Sequence, residues 1–349
     1  TITKSATSVA IGDTATFTFT LSDSTTDFAV TDITATGGTI GSFNGSGAVY
    51  TAVFTPDADF SGTATVAVGA GAFADDAGNE SAAASDNALS VDTVAPEVTV
   101  SSNVTNVFIG DSATISFTLS KAPTDFVLND VVVTGGTIAS FAVDGTNPLL
   151  YTATFTPDPD FVGAATISVP AAAFTDNVGN DNTEGDVSLA VNTNAPTVAI
   201  TSSATTLASE DTAVITVTLS SPSTTFADGD ITAKDAGGST VGTISGFTAV
   251  SSTVYTAVYT PATSSSTPAI ISVAASAFTD LDGNNNLAGS LQLQIDTAAP
   301  TVTITKSATS VAIGDTATFT FTLSDSTTDF AVTDITATGG TIGSFNGSG

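Results

Sequence analysis

The sequence predicts an all-β protein built from tandem sandwich domains, and three observations support this. Short stretches alternate apolar and polar residues along the whole chain, and helical periodicity is absent from a sequence rich in Gly, Thr and Val. The third observation is repetition: residues 303–349 repeat residues 1–47 without a change, which gives a period of 302 residues. Repetition at a fixed period indicates an array of domains.

A shorter period, close to the usual size of one domain, is marked by a recurring linker string. The string Asp-Thr-x-Ala-Pro, with Asn-Thr-x-Ala-Pro as a variant, ends at Pro96, Pro196 and Pro300. These prolines predict domain boundaries. The expected domains are residues 1–95, 96–195 and 196–299, followed by residues 300–349 as the N-terminal half of a fourth domain that repeats the first.

Each unit contains the same order of predicted strands. The stretch Ala15–Leu21 places Phe17, Phe19 and Leu21 on one face and threonines on the other, as in a half-buried strand. A second alternating stretch ends in Thr-Pro, where proline removes a backbone donor and ends the strand. Further strands are expected at 32–35, 63–68, 88–91 and 98–100. About seven short strands separated by turns every 8–12 residues indicate an immunoglobulin-type sandwich.

Charge and composition exclude several classes of function. The formal charge is −30, from 34 acidic residues against four lysines. Such a chain offers no basic face for nucleic acid or for anionic lipid. Cysteine is absent, so disulfides and zinc–thiolate sites are excluded, and no apolar run is long enough to span a membrane.

Catalysis has few residues to use. The chain has no His, Cys or Arg, which removes the usual general bases and nucleophilic triads. Asp75 and Asp76 form a pair of carboxylates that could in principle serve a glycosidase. Their loop recurs in every complete unit, as expected for a structural module, and the sequence therefore predicts that the protein is not an enzyme.

The topology of a sandwich predicts where acidic loops meet. The incoming linker, the loop between strands B and C and the loop between strands F and G should converge at the N-terminal end of each domain. These segments carry oxygen ligands of the kind that calcium prefers. We therefore predict calcium ligands at the first junction (Asp92, Asp125, Asp130, Asp176, Asn177, Asn180), at the second (Asn192, Asp228, Asp230, Asp280, Asp282, Asn284), at the third linker (Asp296) and at the start of the first unit (Asp32, Asp75, Asp76, Asn79).

Two alternatives stay open for these residues. Asp and Asn are also ordinary turn residues whose side chains bond their own backbone. Asn192 replaces the aspartate of the other two linkers, so the second junction would bind metal more weakly or not at all. Asp13, Asp111 and Asp211 lie in the A–B turn at the opposite end of each domain and are expected to be simple turn residues.

The motifs together resemble a known group. Gly12-Asp13-Thr14-Ala15, Phe28 to Ile33, Tyr-Thr-Ala-x-[Phe/Tyr]-Thr-Pro, Ala72 to Asn79 and Asp-Thr-x-Ala-Pro resemble the bacterial Ig-like repeats of giant surface adhesins of the RTX and biofilm-associated type. The match covers the whole chain. The resemblance implies tandem extender domains, often stiffened by calcium at their junctions.

The expected function is therefore structural. The chain resembles a stalk that extends an adhesin from a bacterial surface, with neighbouring repeats of the same chain as its main partners. The alternative is the body of a self-assembled extracellular filament or biofilm-matrix fibre, in which identical chains pack laterally. A carbohydrate-binding module is disfavoured because tryptophan is absent and the aromatic residues fall mostly on core-facing positions.

Overall fold

The computed structural model describes residues 1–347, which form β-strands joined by turns and by single-turn 3-10 helices. No α-helix occurs in this range, as the absence of helical periodicity predicted. Accordingly, none of residues 1–347 forms a helix of the length and apolarity that a membrane crossing requires. The chain divides into two compact units, one of residues 1–195 and one that begins at Pro196.

The first sandwich lies in the first unit and has two sheets, with strand orders β1-β3-β5 and β2-β7-β6-β4. A 3-10 helix at Val30–Asp32 precedes β4. The long strand β5 folds back on itself, since Gly38 lies directly against Phe54 and the carbonyl of Thr55, where a side chain would not fit. The strands are β1 (Ile2–Lys4), β2 (Ser8–Val9), β3 (Ala15–Thr25), β4 (Ile33–Thr36), β5 (Gly38–Pro56), β6 (Ser61–Val68) and β7 (Ala84–Asp92).

The second sandwich completes the first unit and has two sheets of four strands. They are β8 (Val98–Ser102), β9 (Asn106–Phe108), β10 (Ala113–Leu119), β11 (Val132–Val133), β12 (Gly136–Val143), β13 (Leu150–Pro157), β14 (Val162–Val169) and β15 (Gly185–Asn192). The strand orders are β12-β13-β10-β8 and β11-β14-β15-β9, and a 3-10 helix at Leu128–Asp130 precedes β11.

The third sandwich lies in the second unit and repeats this arrangement. Its strands are β16 (Val198–Ser202), β17 (Thr206–Leu207), β18 (Ala213–Leu219), β19 (Ile231–Lys234), β20 (Gly242–Ala249), β21 (Val254–Pro261), β22 (Ala269–Val273) and β23 (Gly289–Ile295). The orders are β16-β18-β21-β20 and β17-β23-β22-β19, and the 3-10 helix spans Asp228–Asp230.

The predicted fold class, all-β tandem Ig-like sandwiches of about seven strands, is confirmed: the first sandwich has seven strands, and the second and third have eight each. The first strand of each sandwich divides between the two sheets. In the second sandwich β8 pairs antiparallel with β10, and β9 then pairs in parallel with β15, with Val107 opposite Val191. The alternation of residues does not show this division, because it does not indicate which sheet a strand joins.

The cores follow the predicted alternation. Phe17, Phe117 and Val217 are fully buried at corresponding positions of β3, β10 and β18. In the second sandwich the ring of Phe126 packs edge-on against Tyr151, with centroids 5.1 Å apart. The inner faces of the two sheets in each sandwich therefore enclose one apolar core, which includes an aromatic cluster.

After the third sandwich, β24 (Val302–Lys306) and β25 (Phe319–Leu323) form a two-stranded sheet, and a 3-10 helix follows at Val332–Asp334. The sequence predicted strands A to C here, and the third does not form within residues 300–347. Its counterpart in the first sandwich, β4, pairs with β6, and residues 303–349 contain no copy of β6. The predicted span also includes residues 348–349, which lie outside the described residues.

Candidate functional site at the first domain junction

The linker between the first two sandwiches is anchored to the first one by Thr93. Its hydroxyl donates to the carbonyl of Asp57 at 2.6 Å and accepts the N–H of Phe60 at 3.0 Å. Thr93 is only 7% exposed. The Thr of the recurring linker string is therefore a buried anchor, and Thr193 and Thr297 make the corresponding bonds in the other two sandwiches.

The same linker is anchored to the second sandwich a few residues later. The N–H of Glu97 donates to the hydroxyl of Ser120 at 2.8 Å, and the carbonyl of Pro96 accepts the N–H of Thr183 at 3.0 Å. Only Val94 and Ala95 lie between the two sets of anchors. A linker this short, held at both ends, has few free dihedral angles.

The F–G loop of the second sandwich is organised around the buried carboxylate of Asp176. Its Oδ1 accepts the N–H groups of Val178 at 3.0 Å and Asn180 at 2.9 Å, and its Oδ2 accepts the amide Nδ2 of Asn180 at 3.1 Å. The base of the loop is held by buried Asn182, which accepts the N–H groups of Ala173 and Phe174 at 2.7 and 2.8 Å. These bonds fix Asp176 and Asn180 at the end of the sandwich that faces the linker.

Lys121 of the B–C loop joins the linker to this loop. Its ammonium donates to Asp92 Oδ1 and Oδ2 at 2.8 and 2.9 Å, to Asp176 Oδ2 at 3.1 Å and to the carbonyl of Val94. The Asp176 side chain is fully buried, whereas those of Lys121 and Asp92 are about one-fifth exposed (23% and 21%). All partners of the ammonium are therefore oxygens, and they come from two of the segments predicted to converge.

The electrostatics of this cluster favour its charged state. Burial opposes the charge on Lys121, but the hydrogen bonds that its ammonium donates to Asp92 and Asp176 outweigh burial and raise its pKa. Burial likewise opposes the charge on Asp176, but hydrogen bonds from Asn180, Lys121 and Val178 hold the pKa of that carboxyl below its usual range. Both groups are thus ionised at neutral pH.

Asn180 connects the two sandwiches directly. Its Oδ1 accepts the N–H of Ile11, in the A–B turn of the first sandwich, at 2.7 Å. Its Nδ2 donates to the carbonyl of Asp92 at 2.9 Å. Asn180 is 1% exposed, so these bonds are sheltered from water. The A–B turn itself is closed by Asp13, which accepts the N–H of Ala10 at 3.1 Å, in agreement with its predicted role as a turn residue.

The structure brings together three of the predicted calcium ligands, Asp92, Asp176 and Asn180. Calcium takes six to eight oxygen ligands. Both carboxylate oxygens of Asp92 and one of Asp176 accept hydrogen bonds from the Lys121 ammonium. Across residues 1–347, no group of three or more acidic side chains is arranged to hold a metal ion. Calcium binding by the predicted residues stays a prediction.

Several other predicted ligands have local partners. Asp130 caps its 3-10 helix by accepting the N–H of Val127 at 2.7 Å, and Asp32 and Asp230 do the same. Asp125 accepts the N–H of Thr175 at 3.0 Å, which confirms that the B–C and F–G loops meet. These capping bonds are the contacts expected from the turn role.

The remaining predicted ligands lie in loops equivalent to those above. Asp75 and Asp280 repeat the loop-closing role of Asp176, with Asn79 and Asn284 as their amide partners. Three more predicted ligands accept hydrogen bonds: Asp76 from the hydroxyl of Ser24, Asp228 from the N–H of Gly229 and Asn192 from the N–H of Asn194. Asn177, Asp282 and Asp296 lie on the surface.

Sequence reasoning missed Lys121 and Ile11 as junction residues. Lys121 follows the recurring Leu-Ser pair in the B–C loop, and it is the only basic residue at that position among the four repeats. Its place opposite an acidic linker was the available signal. Ile11 contributes through its backbone N–H, and a backbone contact cannot be predicted from the type of residue.

Comparison with known proteins agrees with the fold. A profile described as bacterial Ig-like domain matches residues 1–91, 92–193, 192–295 and 296–349. No curated protein sequence matches the chain.

Solved structures with a similar fold include FdeC, an Escherichia coli adhesin, at 16% identity and a TM-score of 0.34 over 84% of this chain and 96% of that one. Invasin, a bacterial integrin-binding protein, is 16% identical with a TM-score of 0.32 over 96% and 68% of the two chains. The surface layer protein SbsC is 13% identical with a TM-score of 0.22 over 92% and 63%. The matched profile covers the chain from end to end, and the chain therefore belongs to the bacterial Ig-like domain family.

Proposed function

We propose that this chain is a structural extender: a segment of a stalk in which successive Ig-like sandwiches are held in fixed relation. The observation that carries the proposal is the first junction. Its linker is anchored to both sandwiches by Thr93 and Ser120, and side chains of the second sandwich bond directly to Asp92 and Ile11. A flexible tether between independent domains would not need such contacts.

The proposed setting is the bacterial cell surface, as part of an adhesin of the large RTX or biofilm-associated type. Family membership and the order of the repeat motifs support this setting. The charge of −30 suits a stalk in a crowded layer, because like-charged neighbours repel each other. The proposed partners of each domain are its neighbours in the chain, and we propose no catalytic role.

Calcium remains part of the proposal for junctions that lack a lysine. The third linker carries Asp296, and the B–C loop that follows it carries Asp325 at the position of Lys121. A divalent ion would remove the repulsion between such carboxylates. Calorimetric titration of the full chain with calcium tests this idea, with binding expected in the range of about 10⁻⁴–10⁻³ M typical of extracellular modules. Absence of heat at millimolar calcium would remove calcium from the proposal.

Sedimentation velocity and negative-stain imaging of the full chain test the extender role itself. A stalk segment is expected to be monomeric, with an elevated frictional ratio and separate thin particles at every concentration used. Regular side-by-side packing of chains would instead support a filament or matrix fibre. Compact, rounded particles would contradict both roles.

A further inference from the structure

The Lys121 ammonium occupies a position that is coordinated only by oxygens. Two come from the Asp92 carboxylate, one from Asp176 and one from the carbonyl of Val94. Two of these partners belong to the linker and one to the F–G loop of the second sandwich. The ammonium therefore neutralises charge between the linker and the domain that follows it.

The corresponding positions in the other repeats can be aligned through a shared hydrogen bond. Ser120, Ser220 and Ser324 each accept a backbone N–H from the residue after the linker proline at 2.8 Å. The residue that follows each serine is Lys121, Ser221 or Asp325. The linker residue that precedes the recurring Thr is Asp92, Asn192 or Asp296. Among these positions, a lysine accompanies a linker aspartate at the first junction, a neutral serine accompanies a neutral asparagine at the second, and an aspartate accompanies an aspartate at the third.

We propose that Lys121 is the resident cation of the first junction, so that this junction keeps its geometry without any divalent ion. The inference rests on the proposed function and deepens it, because it assigns metal independence to one particular joint. Where other junctions would take their positive charge from the solution, this one carries it in the chain.

The charges of the cluster give the reason. Asp92 and Asp176 contribute two negative charges that share one ammonium, and Asp176 has no exposed side-chain surface through which water could screen it. Removing the ammonium leaves a buried carboxylate facing a second one across the junction, which is strongly unfavourable. A carboxylate at position 121 would add a third negative charge and create a set of oxygens that a divalent cation could bind.

The test measures the geometry of the junction in the full chain. The protein has no cysteine, so two introduced cysteines can be spin-labelled selectively. Thr63→Cys in the first sandwich and Thr118→Cys in the second replace exposed threonines. Pulsed electron paramagnetic resonance then measures the distribution of distances between the two labels. The background is compared with Lys121→Met, which removes the charge, with Lys121→Asp, the residue of the fourth repeat, and with Lys234→Met, an exposed lysine of the third sandwich, as control. Each is measured in chelator and in millimolar calcium.

The proposal predicts one narrow distribution for the unsubstituted background and for Lys234→Met in both solutions. Lys121→Met is expected to lose the narrow distribution in both. Lys121→Asp is expected to lose it in chelator and to recover it in calcium. Circular dichroism and amide exchange of the second sandwich verify that the variants are folded.

Two results would overturn the proposal. One is a background distribution that is broad in chelator and narrow in calcium, which would show that this junction needs metal despite Lys121. The other is a Lys121→Met distribution as narrow as the background, which would show that the ammonium does not hold the joint. A background that is broad in both solutions would instead contradict the extender function itself, so the two failures are distinguishable.

Discussion

Replacement of Thr93 by valine is expected to weaken the attachment of the first linker by about 2 kcal/mol. Valine keeps the β-branched shape but replaces the hydroxyl by a methyl group, so packing changes little. The lost interactions are the bond to the Asp57 carbonyl at 2.6 Å and the bond from the Phe60 N–H at 3.0 Å. Each net hydrogen bond contributes about 1 kcal/mol, and because Thr93 is only 7% exposed, water replaces them poorly.

Amide hydrogen exchange read by mass spectrometry measures this loss domain by domain. A change of about 2 kcal/mol corresponds to roughly 30-fold faster exchange of the most protected amides in β3 and β6. Peptides from the third sandwich serve as the internal reference, and Thr63→Val, on the exposed face of β6, is the matched control with an expected change below about 0.5 kcal/mol. If Thr93→Val left exchange in the first sandwich unchanged, the reasoning that Thr93 anchors the linker would be refuted.

Three further predictions concern the second sandwich and can be read by the same exchange measurement. Asn182→Ala should destabilise the second sandwich by about 3 kcal/mol, because the N–H groups of Ala173 and Phe174 lose their acceptor. Asn182→Ser should destabilise it less, because Ser81 accepts the equivalent N–H groups in the first sandwich. Equal losses of stability in the two variants would contradict this account. Gly185→Ala should destabilise the second sandwich by about 1–3 kcal/mol, because a Cβ at this position would overlap the carbonyl of Val98. The control Ser188→Ala, on the exposed face of β15, should have no effect. A Gly185→Ala variant of unchanged stability would contradict the prediction and show that β8 can move away. The pKa of Asp176 is lowered, so its contribution to stability is fully present above the ordinary pKa of 3.8 and is lost as pH falls through the lowered pKa. The pKa of Lys121 is raised, so its contribution is fully present below the ordinary pKa of 10.5 and is lost as pH rises through the raised pKa. The first junction should therefore be insensitive to pH near neutrality and weaken at both extremes, and a transition near pH 7 would contradict the assignment.

Much of the fold could be predicted because the code for a half-buried strand is local. The alternation in Ala15–Leu21 indicates which face of the strand is buried, and the terminal Thr-Pro of β13 and β21 indicates where each strand ends. The division of the first strand into β8 and β9 could not be predicted in this way. It depends on which sheet each half joins, and that is a contact between residues more than 80 positions apart, such as Val107 and Val191.

The junction was predicted in outline, but the contacts of Lys121 within it were not. Topology alone brought the linker, the B–C loop and the F–G loop to one end of the sandwich, and Asp92 and Asp176 do meet there. The acidic composition then suggested an external cation. With only four lysines in the chain, one lysine is a small signal, yet its long side chain reaches both carboxylates and supplies the positive charge itself. The positions of single side chains within a loop cannot be derived from residue spacing.

Small-angle X-ray scattering of the full chain, in chelator and in calcium, tests the extender role most directly. A compact globular chain of 349 residues would have a radius of gyration of about 20 Å. The proposed extender role predicts a monomer with a radius of gyration well above that value, and a scattering curve characteristic of a rod. A radius near 20 Å, or a curve typical of freely jointed domains in both solutions, would contradict the account.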